Sequence, residues 1–180
     1  MSQSLLKASI DIGSNSVLLL VAEMSETNFK EVLKLSEVTS LGRELDSLGE
    51  FHQDSMNSTY SVLEKYFIEC EKLGVLSKDI IVTATEASRV ASNARTFFNK
   101  VSDKFGVPIY ILSPEGEAYF STKGILFTPQ VNSKINDKVL FTENVITIID
   151  IGGASTELIR VNRKSTEILD SISLPIGAVR

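Results

Sequence analysis

The pattern Ile-Asp-Ile-Gly-x-x-Ser occurs twice in this chain, and it constrains the fold more than any other feature. Near the N-terminus it reads Ile10-Asp11-Ile12-Gly13-Ser14-Asn15-Ser16, followed by Val17-Leu18-Leu19-Leu20-Val21. Late in the chain it reads Ile149-Asp150-Ile151-Gly152-Gly153-Ala154-Ser155, followed by Thr156-Glu157-Leu158-Ile159. The two copies align without a gap at an offset of 139, which is 150 minus 11. Each predicts a buried strand that ends in an acid, a turn of small residues and a second strand. Duplication of such a unit predicts two similar half-domains. Each would aim one carboxylate and one turn at something between them.

Turns of this composition suit phosphate. Gly, Ser and Ala let the backbone approach a ligand, and successive N–H groups can form an anion-binding nest. Gly13, Ser14, Asn15 and Ser16 form one candidate phosphate cradle, and Gly152, Gly153, Ala154 and Ser155 the other. A carboxylate beside a phosphate repels it. Asp11 and Asp150 therefore make sense with a divalent cation lying between them and the phosphates.

The 180 residues permit one large domain or two small ones. A net charge of −5 argues against a nucleic-acid binder and leaves no basic track for a long polyanion. No apolar run approaches the ~20 residues that span a bilayer, so no membrane partner is expected. The lone Cys70 can form neither an internal disulfide nor a cysteine zinc site, which fits a reducing, cytoplasmic setting. His52 is the only histidine, which excludes paired-histidine chemistry.

In order, 8–12 and 17–24 read as a hairpin and 29–38 as a third strand. Residues 41–49 read as a Gly-punctuated loop in which Arg43 is a candidate phosphate contact. Residues 53–73 are predicted to be a helix with Met56, Tyr60, Leu63, Phe67, Cys70 and Leu73 on its buried face. A strand over 79–84, a helix over 93–105 and a strand over 109–112 follow. Ser113-Pro114-Glu115 is a helix start, with Ser as cap and Pro in the first turn. Gly116 inside that helix suggests a close neighbour. Residues 128–143 read as a connection, and 167–175 as a last strand. The alternation argues α/β with a mixed sheet.

Further segments join the two repeats in resembling one family. They are Thr85 to Asn93, with Ala87, Arg89, Ala91 and Asn93; Ser113-Pro114-Glu115-Gly116-Glu117-Ala118; Asp150 through Leu158; and Ser173-Leu174-Pro175-Ile176-Gly177. Together with Asp11 to Ser16 they resemble the exopolyphosphatase and guanosine pentaphosphate phosphohydrolase family, within the actin-like superfamily. The resemblance implies α/β, actin-like (ribonuclease H-like) mixed sheets. It implies a complete first half-domain over 1–113 and the truncated beginning of a second over 114–180. It also implies Mg²⁺-assisted hydrolysis of a terminal phosphoanhydride, with polyphosphate or guanosine pentaphosphate as partner, and it admits a homodimer. Glu117 stands where the family's general base stands. Asp150 and Asp11 would hold the metal or its waters, and Arg89 would neutralise charge on the transferred phosphoryl group.

The chain departs from the family pattern at Ala154, where a third glycine is usual, and at Ser40, where arginine is usual. Asn15 tolerates a left-handed backbone, whereas alanine there costs about 1–2 kcal/mol. Two other readings stay open: a non-catalytic phosphate- or alarmone-binding module, and an ATP-using kinase or actin-like protein of the same superfamily.

Overall fold

The computed structural model describes residues 5–25, 29–127 and 144–179. The chain divides into two compact units, residues 1–111 and 112–180. The connection expected over 128–143 lies outside the described residues.

The first unit is built on a five-stranded mixed sheet in the order β3-β2-β1-β4-β5. Its strands are β1 (Leu5–Ile12), β2 (Ser16–Met24), β3 (Phe29–Val38), β4 (Ile80–Ala84) and β5 (Ile109–Ile111). The first three form an antiparallel meander, and β4 and β5 add in parallel to β1. Period-two alternation sorts the residues of each strand onto two faces. Ala8, Ile10 and Ile12 pair with Val21, Leu19 and Val17 on one face, where Val82 and Ala84 join them.

Helices α2 (Gln53–Lys72) and α4 (Ala94–Phe105) cover that face through Leu63, Tyr66 and Cys70, and through Ala94, Phe97, Phe98 and Val101. Each such side chain removed from water is worth roughly 1.5–3 kcal/mol, so this face carries the unit's stability. The buried stripe of α2 is wider than the expected one. Ser55, Thr59 and Tyr66 are buried with Leu63 and Cys70, while Met56, Tyr60, Phe67 and Leu73 lie at its margin. Tyr66 escapes a purely apolar reading because its hydroxyl is satisfied inside, donating to the Val17 carbonyl at 3.1 Å. Cys70 is core as expected, and burial, then Glu69, pushes its thiol up to about 11.

Other boundaries move slightly. The 41–49 loop contains one helical turn, α1 (Leu45–Leu48), set between left-handed residues Glu44 and Gly49. Residue 79 belongs to a 3₁₀ turn (Ser77–Asp79) rather than to β4. Short helix α3 (Glu86–Val90) precedes α4.

Phe51 anchors the loop before α2. It is buried, with Phe97 and Phe98 in edge contact at 6.3 and 6.2 Å. Asn93 holds it there: its side chain accepts from the Phe51 N–H at 2.9 Å and donates to the Phe51 carbonyl at 3.0 Å. Asn93→Ala would strand both backbone groups. We expect a loss of about 1–3 kcal/mol, read as a lower midpoint in urea unfolding.

The second unit is a three-stranded antiparallel sheet, β6 (Val145–Ile151), β7 (Thr156–Asn162) and β8 (Glu167–Leu174), with one long helix, α5 (Pro114–Phe127). Ser113 caps α5 as expected, accepting from the Gly116 N–H at 3.2 Å. Ala118 of α5 is buried with Ile148, Ile159 and Val161, and Ile125, Leu126, Ile146 and Ile168 pack around them. The expected tight neighbour at Gly116 is not found. A Cβ there would meet Leu112 and Ser113 only at ordinary contact distances of 3.7–3.8 Å. The opposite face, with Ile149, Ile151 and Ile172, is exposed. Among the described residues no helix is long and apolar enough to cross a membrane.

Candidate active site

The repeated turns share one construction. In each, the glycine after the aspartate's strand donates back to the serine carbonyl: Gly13 to Ser16 at 2.9 Å, and Gly152 to Ser155 at 2.8 Å. A Cβ on either glycine would stand 3.1 Å from that same oxygen. The N–H groups of Gly13 and Gly152 are therefore engaged inside the turns, which leaves the other N–H groups of each turn as the candidate phosphate donors. The loop after the third strand ties the turn's carbonyls down in both units. Thr39 and Ser40 donate to the Asn15 carbonyl and Gly42 to that of Ser14; Ala178 and Val179 donate to those of Gly152 and Gly153. With the carbonyls held, the N–H groups of Ser14, Asn15 and Gly153 have no acceptor among the described residues.

Neither Asn15 nor Ala154 has positive φ; the positive-φ non-glycine residues among those described are Ser40, Glu44 and Thr166. The strain expected at Ala154 is therefore absent, because the turn closes through the Gly152–Ser155 bond without a left-handed residue. Beside the first turn a left-handed residue lies instead at Ser40, with φ 51°, whose N–H holds that turn.

The two aspartates occupy the same place in the repeat, but the helices reach them differently. In the first unit α2 and α4 cover the face that carries Ile10 and Ile12, so Asp11 lies on the other face. There its parallel neighbour Thr83 donates to Asp11 Oδ1 at 3.2 Å. In the second unit α5 covers the face that carries Ile146, Ile148 and Asp150. Ser121 of α5 donates to Asp150 Oδ2 at 2.5 Å. Glu117 lies one helical turn before Ser121 on the same side of α5.

Glu157 completes this face. It is the cross-strand partner of Asp150, it is 5% exposed, and it accepts from Ser173 Oγ at 2.7 Å. Like charges directly opposite in a sheet repel, so a buried Glu facing an Asp favours a cation beside them. Sequence reasoning missed Glu157 and Ser121. The signals were present: Glu157 is the register partner of the motif aspartate across a four-residue turn, and Ser121 is four residues after Glu117.

Among the described residues no group of three His, Cys, Asp or Glu side chains gathers as a metal cage. A carboxylate pair is nonetheless the donor set that suits Mg²⁺, which keeps several waters and takes one or two carboxylates. Asp150 and Glu157 fit that requirement; Asp11, with Thr83, offers a single carboxylate in its own unit.

The remaining candidates serve mixed ends. Arg89 sits half-buried in the last turn of α3, beside buried Ala87 and Ser88. Ala87 packs where a Cβ on Gly42 would stand, at 3.4 Å, so the Arg89 segment and the first turn share one neighbourhood. Arg43 is engaged with His52, its Nη2 lying 3.1 Å from His52 Nδ1. Glu117, Asp150 and the second turn belong to one unit; Asp11, Arg89 and the first turn belong to the other.

A mixed sheet opening with an antiparallel meander, repeated as a second meander with matching Asp-Gly turns, defines an actin-like fold. Residues 20–180 match the model of the Ppx/GppA phosphatase family, and the chain belongs to that family. It is similar to the Aquifex aeolicus family member of known crystal structure, at 28% identity and a TM-score of 0.78, over 97% of this chain and 52% of that one. It is also similar to the bifunctional 3-dehydroquinate synthase/phosphatase of Fusobacterium nucleatum, at 36% identity over 97% of this chain and 26% of the relative. An exopolyphosphatase from Cytophaga hutchinsonii shares the fold, with a TM-score of 0.75 at 21% identity over 96% of this chain and 51% of that one. The chain thus spans about half the length of these structural relatives and about a quarter of that curated one.

Proposed function

We propose that the chain supplies the reacting face of a phosphoanhydride hydrolase that removes the terminal phosphate from inorganic polyphosphate or guanosine pentaphosphate. The observation that carries this reading is the face shared by α5 and the second sheet. There Asp150 is hydrogen-bonded from the helix that bears Glu117, next to a turn whose Gly153 N–H has no acceptor among the described residues. A carboxylate base, a carboxylate pair for a hard cation and a backbone donor are the parts that hydrolysis of a phosphoanhydride requires.

Glu117 takes a proton from water as the water oxygen bonds to the terminal phosphorus. The bond from that phosphorus to the bridging oxygen breaks, and its electron pair leaves with the shortened chain or nucleotide. The N–H of Gly153 donates to phosphate oxygens. Arg89, in the first unit, would offer a guanidinium to phosphate charge. Mg²⁺, held by Asp150 with Glu157 beside it, would neutralise phosphate charge. In the first unit, the turn around Ser14 and Asn15 would offer backbone donors to phosphate, and Asp11 would offer a carboxylate to a cation.

The family supports phosphatase chemistry. The test is orthophosphate release from polyphosphate and from guanosine pentaphosphate, with ATP as control. Release from either of the first two, with ATP untouched, is expected. ATP turnover alone would move the chain to the kinase-like reading, and binding without release to a sensing module. Asp150→Asn is expected to raise the Mg²⁺ concentration needed for half-maximal activity and to lower activity with it, because an amide oxygen is a poorer ligand for a hard cation. Asp11→Asn should act in the same direction and more weakly. An unchanged Mg²⁺ midpoint in the Asp150 variant would make that residue structural.

A further inference from the structure

We propose that Ser121 is a positioning residue that fixes the Asp150 carboxylate for metal binding; the inference rests on reading Asp150 as the metal-holding acid. Ser121 is half-buried on α5, on the side that faces the sheet. Along that side lie Glu117 and two apolar neighbours: Ala118 is buried against Ile148, Ile159 and Val161, and Ile125 packs at the edge of the same cluster. Packing alone would favour an apolar side chain here. Serine is also an indifferent helix former, and mid-helix it commonly bonds back to the carbonyl four residues earlier. Here the hydroxyl instead reaches across to the strand and donates to Asp150 Oδ2 at 2.5 Å.

The bond has two consequences. It fixes one carboxylate oxygen, so the side chain cannot rotate freely and Oδ1 is the oxygen that this bond leaves for a ligand. It also ties β6 to α5 one turn from Glu117, so the acid that holds the cation and the base that activates water are set by one helix. Groups that orient metal ligands in this way typically change metal affinity by 10–100-fold when removed. Across the sheet, Ser173 does the same for Glu157 from β8 at 2.7 Å, so each acid of the pair has its own hydroxyl donor.

The experiment titrates Mn²⁺, as a spectroscopic stand-in for Mg²⁺, into the wild-type protein and the S121A and S121T variants. Free Mn²⁺ is read by electron paramagnetic resonance, and thermal unfolding is measured in parallel without metal. S121A is expected to weaken Mn²⁺ binding by about 10–100-fold. S121T, which keeps the hydroxyl, should stay within about 3-fold of wild type. The metal-free midpoints of all three should agree, since a surface-to-half-buried Ser→Ala change in a helix is mild. Wild-type binding that S121A leaves intact, or S121T binding as weak as S121A, would overturn the role of Ser121 alone. A wild-type protein that binds no Mn²⁺ would overturn the metal reading of Asp150 along with it.

Discussion

Glu117→Gln is expected to lower phosphate release by about 10²–10⁴-fold while substrate still binds. The amide has nearly the shape of the carboxylate but cannot take a proton from water at neutral pH. Two bonds of that face do not involve Glu117: Ser121 donates to Asp150, and Ser173 donates to Glu157. Both turns keep their internal bonds, so the phosphate contacts should survive. Steady-state phosphate release and equilibrium binding of the substrate separate the two effects. Near-normal turnover by the variant would place the base elsewhere, with Glu115 in the same helical turn as the next candidate.

Gly177→Val is expected to be the most disruptive change at the second turn. The Gly177 backbone lies directly on the turn: a Cβ there would stand 2.2 Å from the Gly153 oxygen and 2.4 Å from the Ala154 nitrogen. Both obstacles are backbone, so the turn or the 176–179 segment must move. Moving the segment breaks the bonds from Ala178 and Val179 that hold the Gly152 and Gly153 carbonyls. Misplacement by about 1 Å of groups that position a substrate can cost on the order of 10²-fold in rate, and that is the expected loss here. Gly42→Ala in the first unit is a graded comparison, because its Cβ meets Ser14 and Ala87 at 3.1–3.4 Å and a small shift accommodates it. Gly124→Ala is the control, since nothing stands within 4 Å of its Cβ. Phosphate release by the three variants should fall in the order Gly124→Ala, Gly42→Ala, Gly177→Val. Equal activity in all three would mean that the second turn is not part of the site.

The duplication in the sequence foretold two meanders with matched Asp-Gly turns, and the amphipathic spacing of α2 and α4 foretold part of the face that each helix buries. The repeat is in fact longer than its visible part. Each copy has three strands and then an apolar-Gly pair within the segment that ties down the turn, Leu41-Gly42 in one and Ile176-Gly177 in the other. The spacing from aspartate to that glycine is 31 residues in the first copy (42 minus 11) and 27 in the second (177 minus 150), so a gapless alignment loses it. The conformation of the turns was not legible, because an asparagine or glycine permits a left-handed backbone without requiring one. Which face of the second sheet α5 covers was not legible either, since period-two alternation defines two faces but does not say which meets the helix. That choice decides the chemistry. It brings Ser121 to Asp150 and buries Glu157 beside them, while Asp11, at the same place in the repeat, is left on the face away from α2 and α4.

The central claim is that water, activated at Glu117, attacks the terminal phosphorus of a phosphoanhydride. The direct measurement is hydrolysis of polyphosphate or guanosine pentaphosphate in ¹⁸O-labelled water with Mg²⁺, followed by mass analysis of the orthophosphate and of the shortened product. One ¹⁸O atom in each released orthophosphate and none in the remaining chain or nucleotide is the predicted result. Label in the remaining product, or no orthophosphate released from either substrate, would contradict it.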